Sequence, residues 1–220
     1  MIKGILLDMD GTLMDSERYY MDYVFEMLKK YNYDKDNNLA CSIIGTTTKR
    51  TYEILSDLLD NRKSASELYD ECHSYYMNNP IDIVDYTFDD VRNTLKYFYD
   101  KGIKLAICSS SPMYDINRFI DGLQLNEYIS YKISGDELEH SKPSPDIYLK
   151  ALEHLSLNKD EVLVYEDSHS GILAGKNAKI YTIAREELRY NIDQSIADKI
   201  IKNIKELKEY VDGENQWKKY

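Results

Sequence analysis

The sequence predicts an α/β fold with a parallel-sheet core and a helical segment inserted early in the chain. Three observations predict it. From about Ile81 onward, short apolar runs alternate with stretches of helical period, the pattern of strand-helix repeats joined by right-handed crossovers. Ile5-Leu6-Leu7, the run Ile103 to Cys108, and Val162-Leu163-Val164-Tyr165 read as strands buried on both faces, as parallel strands are. Residues 15–80, by contrast, are poor in such runs and carry apolar residues at helical spacing. The expected division is a core of residues 1–14 and 81–220 with residues 15–80 inserted between its first two strands.

Taken in order, the first strand ends at Leu7. In the inserted block, Tyr19, Tyr20, Tyr23, Val24, Met27, Leu28 and Tyr31 recur at helical spacing after Asp15-Ser16, which can cap. A second helix is expected after Thr46 to Thr48, through Tyr52, Leu55 and Leu59. A third opens at the capping box Ser64-x-x-Glu67 and stops near Pro80. Back in the core, Thr87-x-x-Asp90 reads as a second capping box. Its helix would turn Val91, Leu95 and Phe98 inward and end at Gly102. The strand to Cys108, a helix ending near Gly122, a weaker strand from Tyr128 to Ile133 and a helix started by Pro145 follow. Then come the strand to Tyr165, a helix through Ile172 and Ala178, and a strand at Ile180 to Ala184. A short strand and closing helix are expected between Ala197 and Leu207, with a frayed polar tail beyond Asp212.

Composition narrows the function classes. A chain of 220 residues can bury a substantial core. The net charge of −11, without a basic patch, argues against a nucleic-acid partner. Cys41, Cys72 and Cys108 are odd in number and lack metal-ligand spacing, so they read as small core residues in a reducing, cytoplasmic protein. The N-terminus does not read as a cleaved signal peptide, and no apolar run approaches a membrane span. The 21 tyrosines sit mostly beside other apolar residues at helical spacing, as amphipathic core and surface rather than base-stacking platforms.

The chemistry gathers where the strands end. Asp8-Met9-Asp10-Gly11-Thr12-Leu13 follows directly on the first apolar run. Side chains alternate along a strand and Gly11 permits a sharp turn, so Asp8 and Asp10 can both reach one small volume at its carboxyl end. Open α/β sheets bind ligands there. Two acids held together need a cation between them or a retained proton. A calcium-binding EF-hand is excluded, because the glycine comes too early and no Glu closes the loop. Ser109-Ser110-Ser111 ends the second long run, Ser141-Lys142-Pro143 follows the weak strand, and Glu166-Asp167-Ser168 ends the third. On a parallel sheet these termini line one edge. Carboxylate pairs, a hydroxyl and a lysine there suit phosphoryl transfer with a divalent metal.

These motifs, in this order, resemble those of the haloacid dehalogenase superfamily, in its phosphatase and phosphomutase branch. Asp8-x-Asp10-Gly11-Thr12-Leu13 resembles the first motif, Ser109 the second, Lys142 the third and Glu166-Asp167 the fourth. Ser141-Lys142-Pro143-Ser144-Pro145-Asp146 and Glu166-Asp167-Ser168-x-x-Gly171-Ile172 further resemble the subgroup of β-phosphoglucomutase and sugar-phosphate phosphatases. The resemblance implies a Rossmann-like core with an inserted helical cap domain at residues 15–80. It implies Asp8 as nucleophile, forming an aspartyl-phosphate, and Asp10 as general acid and base. Ser109, the Ser110 amide and Lys142 would bind phosphate. Mg²⁺ would be held by Asp8, Asp167 and the Asp10 carbonyl, with Glu166 ligating through water or accepting bonds behind the ligands. Dehalogenases, phosphonate hydrolases and P-type ATPases usually lack the second acid, so Asp10 points to phosphate esters. The four acids facing a phosphate dianion also require the metal and Lys142 for charge balance.

The expected function is hydrolysis of small phosphate monoesters, sugar phosphates foremost, by a monomer or weak dimer that acts on a small phosphorylated metabolite. Two departures weaken the mutase alternative. Tyr20 stands where the β-phosphoglucomutase pattern usually has a cap His, and Pro112 stands where a basic residue usually follows the serines. A mutase would have to grip the second phosphate with Lys49 or Arg50, after Gly45-Thr46-Thr47-Thr48. A non-enzymatic binding protein on the same scaffold would be expected to have lost at least one of the acids.

Overall fold

The computed structural model describes residues 1–33, 35, 41–43 and 48–213. Gly45, Thr46, Thr47 and the polar tail after Gly213 lie outside the described residues. The chain divides into two compact units, residues 1–15 with 83–220, and residues 16–82. Asp15 closes the first segment of the larger unit: its amide donates to the Tyr86 carbonyl at 2.6 Å.

The larger unit is built on one six-stranded, all-parallel sheet of order β3-β2-β1-β4-β5-β6. The strands are β1 (Gly4–Leu7), β2 (Lys104–Ser109), β3 (Ile129–Ser134), β4 (Val162–Glu166), β5 (Tyr181–Arg185) and β6 (Lys199–Ile201). β1 pairs with β2 on one side and β4 on the other, with Leu7 level with Ile107 and Tyr165. The strand order therefore reverses at β1, where an open α/β sheet leaves a crevice beyond its carboxyl ends. Leu6, Ala106 and Val164 share one face with Tyr148, Ala151 and Leu155. Ile5, Leu7, Leu105 and Ile107 point the opposite way by the strand period and are fully buried too. Both faces are covered, which is why these strands show no polar alternation.

Helices Val91–Asp100, Met113–Gly122, Asp146–Leu155 and His169–Asn177 connect the strands, and Leu207–Val211 closes the unit. One expectation is corrected. Thr87-x-x-Asp90 does not form a capping box: the Thr87 hydroxyl donates to the Ile83 carbonyl at 2.5 Å, ending the short helix Ile83–Tyr86. Asp90 is left-handed (φ 63°) without a side-chain cap bond, and its carboxylate pairs with Lys205 at 2.5 Å. Both side chains had other partners within reach. Ser64 and Glu67 form both bonds of their box, because Glu67 meets Lys63 through Oε1 at 3.1 Å and keeps Oε2 for the Ser64 amide.

The smaller unit holds helices Ser16–Lys30, Thr48–Leu58 and Ala65–Asn78. Met21, Val24, Met27, Leu28, Leu55, Leu59, Leu68 and Cys72 form its core. Its tyrosines pack on one another, Tyr23 and Tyr75 face to face with centroids 3.6 Å apart. Cys72 and Cys108 are buried free thiols. Among the described residues, no helix is long and apolar enough to cross a membrane.

Candidate active site

The site assembles at the carboxyl ends of the three central strands. After Leu7 the chain leaves β1 through Asp8 and Met9, and the amides of Leu13 and Met14 donate to the Met9 carbonyl at 2.8 and 3.0 Å. Gly11 makes this turn possible at φ +77°, a region costly for residues with a Cβ. The turn brings Asp8 and Asp10 to the sheet edge in different settings. Asp8 is 6% exposed and Asp10 is half-buried.

Lys142 organises one side. Its ammonium donates to Asp8 Oδ1 at 2.6 Å, to Glu166 Oε1 at 2.8 Å and to the Cys108 carbonyl at 2.9 Å. The Tyr148 ring centroid lies 5.4 Å from it, and the Tyr148 hydroxyl donates to Glu166 Oε1 at 3.3 Å. Glu166 Oε2 accepts from the amides of Asp167 and Ser168 at 2.8 and 2.9 Å and from the Ser168 hydroxyl at 3.0 Å. Both Glu166 oxygens are thus engaged by donors of the protein. Gly171 faces this carboxylate so closely that an added Cβ would lie 1.6 Å from Oε1. The Ser168 hydroxyl also accepts from the Gly171 amide at 3.1 Å, capping the helix.

Asp8, Glu166 and Asp167 each offer an oxygen within 4.8 Å of one another. All three are buried. Thr12 donates to Asp167 Oδ1 at 2.8 Å. Burial and the Glu166 charge push Asp8 from 3.8 up to about 8, against the pull of Lys142. The same two causes, with Asp8 added, raise Asp167 well above its ordinary value. Burial opposes the Lys142 charge, yet Asp8 and Glu166 outweigh it and hold its pKa well above 10.5. Three buried carboxylates share one lysine. The deficit calls for protons or a cation, and an all-oxygen donor set fits Mg²⁺. With Glu166 already saturated, Asp8 and Asp167 are the side chains left to hold it.

The other side is organised by serines. Asp10 Oδ2 accepts from the Ser111 hydroxyl at 2.6 Å and the Ser109 hydroxyl at 3.3 Å. Ser109 Oγ in turn accepts from the Ser111 amide at 3.0 Å. The structure therefore brings together Asp8, Lys142, Glu166 and Asp167, and separately Asp10 with Ser109. Ser110, exposed, follows at the same strand end. Ser111, Thr12 and Gly171 stand within the motifs without a role of their own in the sequence reading, and Tyr148 stands outside them. For Ser111 the sequence signal was the run of three serines, which does not say which one meets the acid.

Comparisons with known proteins identify the family and the fold. A family model for haloacid dehalogenase-like hydrolases matches residues 5–185. A phosphorylated carbohydrates phosphatase of Thermotoga maritima is 30% identical over 182 residues, which cover 83% of this chain and 84% of that protein. A phosphoglycolate phosphatase of Aquifex aeolicus is 28% identical over 179 residues, covering 80% and 81%. The crystal structure of a β-phosphoglucomutase from Clostridium difficile shares the fold, with a TM-score of 0.70 at 19% identity over 97% of this chain and 96% of that one.

Proposed function

We propose, from the premise that this chain belongs to the haloacid dehalogenase-like hydrolase family, that it hydrolyses small phosphate monoesters, sugar phosphates foremost, through a phosphorylated Asp8. The carrying observation is the Lys142 ammonium bridging Asp8 and Glu166, with Asp167 beside them and Asp10 held apart by two serine hydroxyls. Asp8 attacks phosphorus, and the bond to the ester oxygen breaks. Asp10 gives that oxygen its proton, so that the alcohol leaves neutral. Asp10 then takes a proton from water as the water oxygen attacks phosphorus, which releases inorganic phosphate and restores Asp8.

Lys142 offsets the charge of Asp8 when a phosphate dianion approaches. Ser111 aims the Asp10 carboxylate at 2.6 Å; in this reading the Ser110 amide and the Ser109 hydroxyl, turned from its longer 3.3 Å bond to Asp10, donate to the phosphate, and Lys142, its three N–H groups engaged, attracts it by charge. Mg²⁺, held by Asp8, Asp167 and the Asp10 carbonyl, would supply positive charge to the phosphoryl oxygens. Glu166 steadies Lys142 and the turn into the helix at Ser168. The unit of residues 16–82 is the substrate-selecting cap, and a cytoplasmic setting belongs to the same reading.

Hydrolysis is favoured over mutase chemistry by the helical unit itself. Lys49 and Arg50, the cations a mutase would use on a second phosphate, are exposed and pair with Glu53 at 3.9 and 3.4 Å. The relative at 30% identity is a phosphatase of phosphorylated carbohydrates by name. The test is a panel of phosphate monoesters with Mg²⁺, with β-glucose 1-phosphate assayed with and without glucose 1,6-bisphosphate. Phosphate release that needs no bisphosphate is expected. Accumulation of glucose 6-phosphate with little free phosphate would reverse the choice, and a panel without turnover would remove the enzymatic reading.

A further inference from the structure

The parallel ladder between β4 and β5 runs up to the pair Glu166 and Ala184. The next pair in register is Asp167 opposite Arg185, and there a side chain takes over. Gln194, in the segment between β5 and β6, donates from Nε2 to the Asp167 carbonyl at 2.6 Å and to the Arg185 carbonyl at 2.7 Å. Its Oε1 accepts from the Glu187 amide at 3.1 Å, and the residue is only 7% exposed. Both N–H groups and the acceptor are used. The carboxamide thus joins the two strand ends where they pass beyond the backbone ladder.

Arg185 extends the grip to the first turn. Its Nε donates to the Gly11 carbonyl at 2.5 Å, and its guanidinium lies 4.1 Å from the Phe88 ring centroid and pairs with Glu187 at 2.7 Å. Gly11 in turn abuts the acid: a Cβ there would lie 2.2 Å from Asp167 Oδ2. The main chain behind Asp167 and the main chain behind Gly11 are therefore held by one connected pair of side chains.

We propose that Gln194 and Arg185 are positioning residues for the cation site, fixing Asp167 against the turn that carries Asp8 and Asp10, and so setting the affinity for Mg²⁺. The inference rests on the reading of Asp8 and Asp167 as Mg²⁺ ligands. Groups one bond behind metal ligands typically change affinity or activity about 10–100-fold when lost. Gln194→Leu keeps the approximate volume and removes both donors.

The test is calorimetric titration of Mg²⁺ into the full-length, metal-stripped protein, comparing wild type, Gln194→Leu and Gln194→Glu. Leu188→Ala, at an 83% exposed position in the same segment, serves as the control. Both Gln194 variants should bind Mg²⁺ roughly tenfold or more weakly. Their kcat should recover at saturating Mg²⁺, and Leu188→Ala should match wild type. Wild-type affinity in a folded Gln194 variant would overturn the proposal, whatever its melting temperature. Should neither variant fold, the wild type still decides: its Gln194 carboxamide proton resonances should shift as Mg²⁺ is added, and unmoved resonances under saturating metal would overturn it. A wild-type protein that takes up no Mg²⁺ would instead overturn the metal reading, and this inference with it.

Discussion

Replacing Lys142 by Met tests the electrostatics of the site without asking for turnover. Met retains much of the apolar stem, so the change removes charge and three hydrogen bonds more than volume. The lysine side chain is 4% exposed, and the side chains of its partners Asp8 and Glu166 are 9% and 0% exposed. At contact distances of this kind each attraction is worth about 6 kcal/mol gross at an effective dielectric constant of about 20, and desolvation cancels much of it. Removing one partner of a buried ion pair costs about 3–5 kcal/mol net, because the other charge is left uncompensated. For a chain of this size that corresponds to a fall in melting temperature of roughly 6–20 °C.

The penalty should depend on pH with a definite sign. Asp8 is pushed up from 3.8 to about 8, so the folded protein holds this proton more tightly than the unfolded chain does. Its contribution therefore worsens as pH rises through that window, and the loss of Lys142 should cost less at pH 6 than at pH 8. The assay is thermal and urea unfolding of both proteins in excess chelator at the two pH values, repeated with Mg²⁺. Added Mg²⁺ should recover part of the loss. A Lys142→Met protein as stable as wild type in chelator at pH 8 would refute the argument that this lysine balances the buried acids.

Four further outcomes are expected. Gly171→Ala gains about 1 kcal/mol of helix propensity, yet its methyl must displace Glu166 from Lys142, so activity should fall at least tenfold; unchanged kcat/KM would mean that Glu166 does not steady Lys142. Burial works against the Glu187 charge, but bonds from Arg189 and Arg185 bring its carboxyl from 4.5 down to about 2. It therefore stabilises the fold fully above pH 4.5 and progressively less as pH falls toward 2, and Glu187→Gln should flatten acid unfolding across that window; an unchanged acid limb would count against it. Chelation should abolish phosphatase activity, Mg²⁺ should restore it, and Ca²⁺, with looser and larger coordination, should inhibit; full activity after exhaustive chelation would contradict the metal reading. In a Cys41→Ser background, Cys72 and Cys108 should resist thiol reagents at pH 8 until the protein unfolds, since burial lifts them to about 11 and about 12; rapid labelling of the folded protein would contradict this.

What the sequence disclosed was whatever side-chain pattern encodes. Ile5-Leu6-Leu7 followed by two acids marks a buried strand that ends in chemistry, and β1 lies between β2 and β4 at the centre of the sheet. Lys142 stood out because Pro143 and Pro145 confine its backbone, and it meets Asp8 and Glu166. Asp167 beside Glu166 read as a strand-end acid pair, and the two divide the work: Glu166 takes the amides of Asp167 and Ser168, while Asp167 takes the Thr12 hydroxyl. The supports were not legible, for physical reasons. Gln194 and Arg185 bond to main-chain carbonyls, which every residue carries, so nothing at Asp167 or Gly11 announces the partner. Gly171 shows its role only when Glu166 occupies the space its side chain would fill. Thr87 and Asp90 had the local spacing of a capping box, but Ile83 and Lys205 claimed them from outside it.

The central claim is that Asp8 takes the phosphoryl group and Asp10 sends water to remove it. Asp10→Asn separates the two steps, since the amide retains the shape but cannot take a proton from water. This variant should be mixed with an activated phosphate ester, whose leaving group needs no protonation, in the presence of Mg²⁺. Acid quench, proteolysis and mass spectrometry then locate any label. One phosphoryl group per chain, hydroxylamine-labile, is expected on the peptide containing Asp8, and none in an Asp8→Asn, Asp10→Asn double variant. A label on Ser109 or elsewhere, or hydrolysis at the wild-type rate with Asp8 replaced, would contradict it.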